Sequence, residues 1–234
     1  MRIMDRGRIG AAAALTVMSM SLVTSAIATP TLVAGGELES YDGPGQRTRS
    51  AMAIVGAEAG GRNASLALLR WSDSEFGEGM GYALGIGVPL APSAALRAWG
   101  TRFVGDEPGN PSEGRVRSWR VKVGPLVEFS GQSTAGVYYS HTEDDVGLRS
   151  NGAAAELTTP LGARFTGRAG ASHANASDGL HATQATVGLE FAPARGVELS
   201  AETGLARNAA FLVSPGSSSR MEPVLLLGVR VLLP

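Results

Sequence analysis

The chain has 234 residues, 20 Lys and Arg against 21 Asp and Glu, and no cysteine. A formal net charge of -1 excludes the electrostatic footprint of a nucleic-acid binder, and the missing thiols exclude a disulfide framework, thiolate metal sites and cysteine nucleophiles. With 32 glycines, 44% hydrophobic residues and few long helix-forming windows, the composition favours strands with small side chains over a helical bundle.

Residues 1–28 have the pattern of a secretory signal peptide. Arg2, Arg6 and Arg8 precede the apolar run AAAALTVMSMSLV, and Ala26-Ile27-Ala28 supplies small residues for cleavage. The run is shorter than the roughly 20 apolar residues that a spanning helix needs. Cleavage after Ala28 removes three arginines and Asp5, a net of +2, and takes the charge from -1 to -3 for residues 29–234. No boundary divides that remainder into two domains.

In chain order, turn signals recur every ten to fifteen residues. A first strand over 32–41 sets Glu37 and Glu39 against Leu38 and ends at Asp42-Gly43-Pro44-Gly45. A strand over 49–58 is apolar and ambiguous in phase, and neither the strand over 64–73 that follows the turn at 59–63 nor a fifth strand over 95–104 phases cleanly. The fourth alternates sharply: Met80, Tyr82, Leu84, Ile86 and Val88 against Gly81, Ala83, Gly85 and Gly87. After the polar stretch GDEPGNPSEG, the sixth strand separates Trp119, Val121, Val123, Pro125, Val127 and Phe129 from Ser118, Arg120, Lys122, Gly124, Leu126 and Glu128. Pro125 lies in mid-strand, where a missing N–H predicts a bulge.

The seventh strand, 133–142, turns back at Gly131-Gln132 and sets Ala135, Val137 and Tyr139 against Thr134, Gly136, Tyr138 and Ser140. Strands over 150–158, 163–173, 181–191, 197–205 and 224–233 follow, with Arg230 the one interruption of the last apolar run. Strands of about ten residues are long enough to cross a bilayer when tilted. The count is twelve, with ten as the alternative, and the expected fold is an all-β, antiparallel up-and-down transmembrane β-barrel. Loops at 42–48, 74–79, 105–114, 143–149, 174–180 and 206–223 fall at one end and are the longer and more polar set; the turns fall at the other. Tyr41, Trp71, Tyr82, Phe103, Trp119 and Tyr139 sort toward the loop end and Phe129, Phe165 and Phe191 toward the turn end, the pattern of two aromatic girdles.

With signal pattern, alternating hairpins and girdles together, the mature length resembles small bacterial outer-membrane β-barrels. That resemblance implies the outer membrane of a Gram-negative envelope, contact with its lipid and lipopolysaccharide, and delivery by the barrel assembly machinery. Such barrels usually finish on an aromatic residue, whereas this chain finishes on Leu232-Leu233-Pro234. Size and strand count look like those of the small monomeric sugar-acid porins, without a motif specific to them.

The faces opposite the apolar ones carry Glu37, Glu39, Arg120, Lys122, Glu128, Glu156, Arg164, Arg168, Glu190, Glu198, Glu202 and Arg230. A lumen tolerates such charges because it can hold water, whereas an Arg or Lys facing lipid at mid-depth costs about 2–4 kcal/mol. Glu37, Arg120, Lys122, Glu156, Arg164, Arg168, Glu190, Glu202 and Arg230 are therefore the expected pore-lining set, basic on the sixth and ninth strands and acidic on the eleventh and first. Inward Gly, Ala, Ser and Thr favour an open lumen. The expected function is passive passage of small polar or charged solutes through a monomer, without enzymatic activity or cofactor; the alternatives are a non-conducting accessory barrel for envelope assembly or export, and a barrel hydrolase.

For hydrolysis, His141 lies beside Thr142-Glu143-Asp144-Asp145, a sequence more often merely solvated than catalytic. Ser172-His173-Ala174-Asn175-Ala176-Ser177, with Glu190, faintly resembles the His, Ser and Glu set of the outer-membrane lipid A deacylases, but Asn175 stands where that family has its serine. No His, Asp and Glu cluster has metal-ligand spacing, and the Gly79 to Gly87 glycines fit a strand face better than a phosphate loop.

Overall fold

The computed structural model describes residues 31–43, 46–73, 77–106, 115–145, 147–177, 179, 181–207 and 221–233; the signal pattern and most of the long polar loops lie outside them. Twelve strands run in chain order: β1 Thr31–Gly43, β2 Gln46–Ala59, β3 Arg62–Asp73, β4 Gly77–Ala91, β5 Ala94–Asp106, β6 Arg115–Phe129, β7 Ser133–Asp144, β8 Arg149–Pro160, β9 Phe165–Ala176, β10 His181–Ala194, β11 Val197–Arg207 and β12 Glu222–Leu233. Each pairs antiparallel with its sequence neighbours, and β1 pairs with β12, so the sheet closes without an edge. Closure explains how the chain leaves large apolar side chains outside: Leu32, Leu68, Leu84, Ile86, Val137 and Val187 are all more than half exposed. A soluble sandwich would bury these side chains between its sheets. Here the apolar faces point away from the axis, as a lipid-facing surface requires. Among the described residues no helix is long and apolar enough to cross a membrane.

The short turns follow local chemistry. Gly60 and Gly61 take positive φ angles of 57° and 76°, the pair of left-handed residues that a two-residue hairpin needs to match the strand twist. A single 3-10 turn, Ser130–Gln132, joins β6 to β7. Register shifts occur at Pro89/Ala91 between β4 and β5 and at Phe191/Ala194 between β10 and β11, both near the turn end and both beside a proline that cannot donate to the ladder.

Pro125 differs from its expectation. Pairing of β6 with β7 stops at Val123↔Tyr139 and resumes at Leu126↔Gly136 in the same register, so the ladder skips Gly124 and Pro125 instead of bulging. Gly124 allows this because a Cβ there would land on the carbonyl oxygen of Val137; the strands close up where the bond is missing. On its other side Pro125 pairs normally with Leu96.

Candidate functional site: the barrel lumen

Alternation decides what faces the axis. On β6 the outward residues Trp119, Val121 and Val127 are exposed, while Arg120 and Lys122 are half-buried and inward. The strands that resisted phasing resolve in the same way. β2 turns Met52 and Ile54 inward and Ala51, Ala53 and Val55 outward; β3 turns Ala67, Leu69 and Trp71 inward; β5 turns Arg97, Trp99, Thr101 and Phe103 inward.

Trp71 and Phe103 therefore do not belong to the outer girdle. They are 5% and 3% exposed inside the barrel, whereas Tyr82, Trp119 and Tyr139 keep outward positions at the loop end. Phe129 is exposed at the turn end, where Phe165 and Phe191 stack outside at 4.9 Å. The side chain of Tyr41 lies outside the described residues.

The glycines of β4 explain the inward rings. A Cβ at Gly79 would run into the Trp71 indole, one at Gly81 would meet Phe103 Cδ1 at 2.9 Å, and one at Gly85 would meet Trp99 Cδ1 at 3.1 Å. Inward small residues thus do not all mean open space, because those of β4 are hollows filled from β3 and β5. Tyr138 completes the group from β7, edge-on to Trp99 at 5.5 Å and 70°. Its alternation on β7 identified it as inward; Trp99, Trp71 and Phe103 were missed. The signal that could have found them is the run of alternate glycines on the neighbouring strand.

Lys122 stands above these rings, its Nζ 4.3 Å from the centre of Tyr138 and 5.4 Å from that of Trp99. The same Nζ donates to Glu156 Oε1 at 2.7 Å. Arg120, two residues along, donates from Nε to Thr142 Oγ1 at 3.0 Å and holds no carboxylate among the described residues. Arg97 on β5 adds a third cation to this wall, also unforeseen because β5 could not be phased.

Six strands round the ring the signs reverse. Arg230 of β12 donates to Glu198 of β11 at 2.9 Å and to Glu37 of β1 at 3.4 Å. Arg168 of β9 donates to Glu190 of β10 at 2.9 Å, with Glu202 of β11 at 3.2 Å. Among the described residues, Glu37, Glu39, Glu190, Glu198 and Glu202 line this side with two cations, Arg168 and Arg230, between them. In a closed ring of twelve, β6 lies opposite β12 and β5 opposite β11. A wall with surplus positive charge thus faces one with surplus negative charge. Arg168 bonds into the acidic wall instead of extending a basic one on β9. Arg164 precedes β9 and is exposed at the turn end, as Glu128 is on β6.

None of the three histidines faces the lumen. His141 bonds Asn151 at 2.8 Å and sits 5.2 Å from the Trp119 ring outside the barrel. His173 and His181 share Asn175 Oδ1 at 3.1 and 2.5 Å, also outside. Among the described residues neither His141 nor His173 hydrogen-bonds a serine, and no group of three or more metal-ligating side chains occurs.

The barrel shares the fold of small bacterial outer-membrane β-barrels. A KdgM porin aligns at TM-score 0.62 and 9% identity, over 85% of this chain and 98% of that one; a NanC porin aligns at 0.61 and 13% over the same shares. A KdgM porin in complex with disordered oligogalacturonate gives 0.59 and 10%, again over 85% and 98%. No family model matches the chain. No curated protein matches it either.

Proposed function

We propose that the chain is an outer-membrane, porin-like channel through which small polar or charged solutes pass passively, without catalysis. The observation that carries this is the pair of facing walls of unlike charge across a closed barrel, β5 and β6 against β11, β12 and β1. Fixed charges of opposite sign across a pore set up a transverse field that orients dipolar or charged solutes and sieves them by sign. Similarity of fold to KdgM and NanC porins supports the class without selecting a solute. In this reading residues 1–28 are cleaved on export, the barrel works as a monomer, and Arg120, Lys122, Glu156, Arg168, Glu190, Glu202, Glu37 and Arg230 line the path. Arg164 and Glu128 belong to its turn-end mouth.

A non-conducting accessory barrel is the competing reading, favoured by the rings that fill the β4 hollows and by the ion pairs that link neighbouring strands. Single-channel recording of the refolded barrel in a planar bilayer separates the two. Discrete conductance steps support the channel; silence from a barrel verified by heat-modifiable migration supports the accessory role.

A further inference from the structure

The outer surface of β5 and β6 carries a feature that the lumen does not explain. Arg102 and Arg117 are exposed and point away from the axis near the loop end. In register, Arg102 pairs with Trp119 and Arg117 with Val104, so the two arginines are diagonal neighbours on adjacent strands, about 7–8 Å apart at their bases. Among the described residues neither guanidinium has an ion-pair or hydrogen-bond partner. Two described acids share that outer face: Glu143 accepts from Arg149 at 3.0 Å, and Asp145, opposite Arg117, bonds it through the backbone, Asp145 N to Arg117 O at 2.9 Å.

Their surroundings fix the height. Tyr82 and Trp119 flank Arg102 outside, at 46% and 42% exposure, the position of an interfacial belt. Directly beneath, in the next outward row, Gly100 lies between Leu84 and Val121. A Cβ at Gly100 would meet nothing within 4 Å, so the apolar surface has a notch there. Below the notch the outward residues are apolar: Leu96, Val123 and Val127.

We propose that Arg102 and Arg117 clamp the phosphate of a phosphorylated lipid in the outer leaflet, with Trp119 beside its headgroup and an acyl chain in the Gly100 notch. Two unpaired guanidiniums facing a bilayer at headgroup height need an anion, and their planar forks match phosphate oxygens two at a time. Free phosphate lacks the chain that the notch would hold, which selects the lipid as occupant. The inference rests on the outer-membrane part of the functional reading and not on conduction.

The test is binding of diphosphorylated lipid A, and of its dephosphorylated counterpart, to the refolded chain in neutral detergent, followed by native mass spectrometry. The wild type is expected to retain one diphosphorylated lipid, and Arg102→Gln/Arg117→Gln to bind it at least tenfold more weakly. Equal affinity of the two proteins, or equal retention of the dephosphorylated lipid, overturns the clamp. Inorganic phosphate displacing the lipid at millimolar concentration overturns the acyl contact. Should the glutamine pair prevent folding, Arg102→Lys/Arg117→Lys keeps both charges and loses the forks: weakened binding supports the clamp, unchanged binding overturns it. Arg195→Gln, at the opposite end, is expected to bind as the wild type does. Conductance of the Arg102→Gln/Arg117→Gln barrel keeps the two conclusions apart, since a channel that conducts normally and loses the lipid leaves the pore intact, and a silent barrel that still selects the lipid removes only the pore.

Discussion

Reversing the charge of Arg120 and Lys122 is the most direct test of the lumen. Arg120→Glu/Lys122→Glu changes the β6 wall by four charges, opposite the carboxylates held by Arg168 and Arg230. For an ion about 10 Å away in water each charge acts with about 0.4 kcal/mol, so four contribute roughly 1.7 kcal/mol. At 0.1 M salt that distance is about one Debye length, and screening leaves about 0.6 kcal/mol. Anions lose and cations gain this amount, which together lowers the anion-to-cation permeability ratio about eightfold. Reversal potentials under a tenfold KCl gradient measure it. At 1 M salt, where the screening length is about 3 Å, the effect should almost vanish. The swap Lys122→Glu/Glu156→Lys preserves the 2.7 Å pair and the total charge, so its selectivity should stay near that of the wild type. An unchanged ratio in the reversed barrel at low salt, or an equal shift at 1 M, would refute the proposed field.

Three further outcomes follow from named contacts. Arg168→Met strips Glu190 and Glu202 of their cation; with these groups 11–14% exposed to the lumen, a loss of about 1–3 kcal/mol is expected in urea unfolding, below the 3–5 kcal/mol of a fully buried pair, and adding Glu190→Gln/Glu202→Gln should restore most of it. Gly124→Ala places a Cβ on the Val137 carbonyl and should cost about 1–3 kcal/mol, whereas Gly100→Ala meets open space and should be neutral within about 0.5 kcal/mol; similar midpoints for the two would contradict the close approach at Gly124. Ala substitution of His141 and His173, both outside the lumen, should leave conductance unchanged, and a hydrolase assay that depended on either would revive the enzymatic alternative.

The barrel was legible wherever the two faces of a strand differ in chemistry. On β6, β10 and β11, charged or small inward residues alternate with apolar outward ones, and a period of two is enough to orient them. β2 and β3 were opaque because their inward faces are apolar too, Met52 and Ile54, Leu69 and Trp71; β5 was opaque because each face mixes an arginine with apolar residues, Arg97 with Trp99 and Phe103, Arg102 with Leu96. Hydrophobicity cannot distinguish a ring packed into a glycine hollow from one dissolved in lipid, so Trp71 and Phe103 were assigned by height alone and placed on the wrong side. Arg102 and Arg97 share that strand with opposite directions, and only the register with Trp119 and Gly124 separates them. The inward face of the charged residues on β6, β10 and β11 was legible, because alternation fixes it. Their pairing was not legible, since Lys122 of β6 reaches across β7 to Glu156 of β8, and Arg230 to Glu37 depends on β12 closing against β1.

The bond from Arg230 to Glu37 joins residues 193 positions apart, across the seam where the last strand meets the first. Every other ladder joins consecutive strands, so each can form as a local hairpin. The seam alone must wait until both ends of the chain are in place, and contacts of such long separation form late. An interaction absent from the transition state acts on the rate of opening and leaves the rate of folding nearly untouched. The latch at Arg230 thus governs the lifetime of the finished ring: weakening it should let the barrel unzip sooner between β1 and β12 while it still assembles at its normal pace.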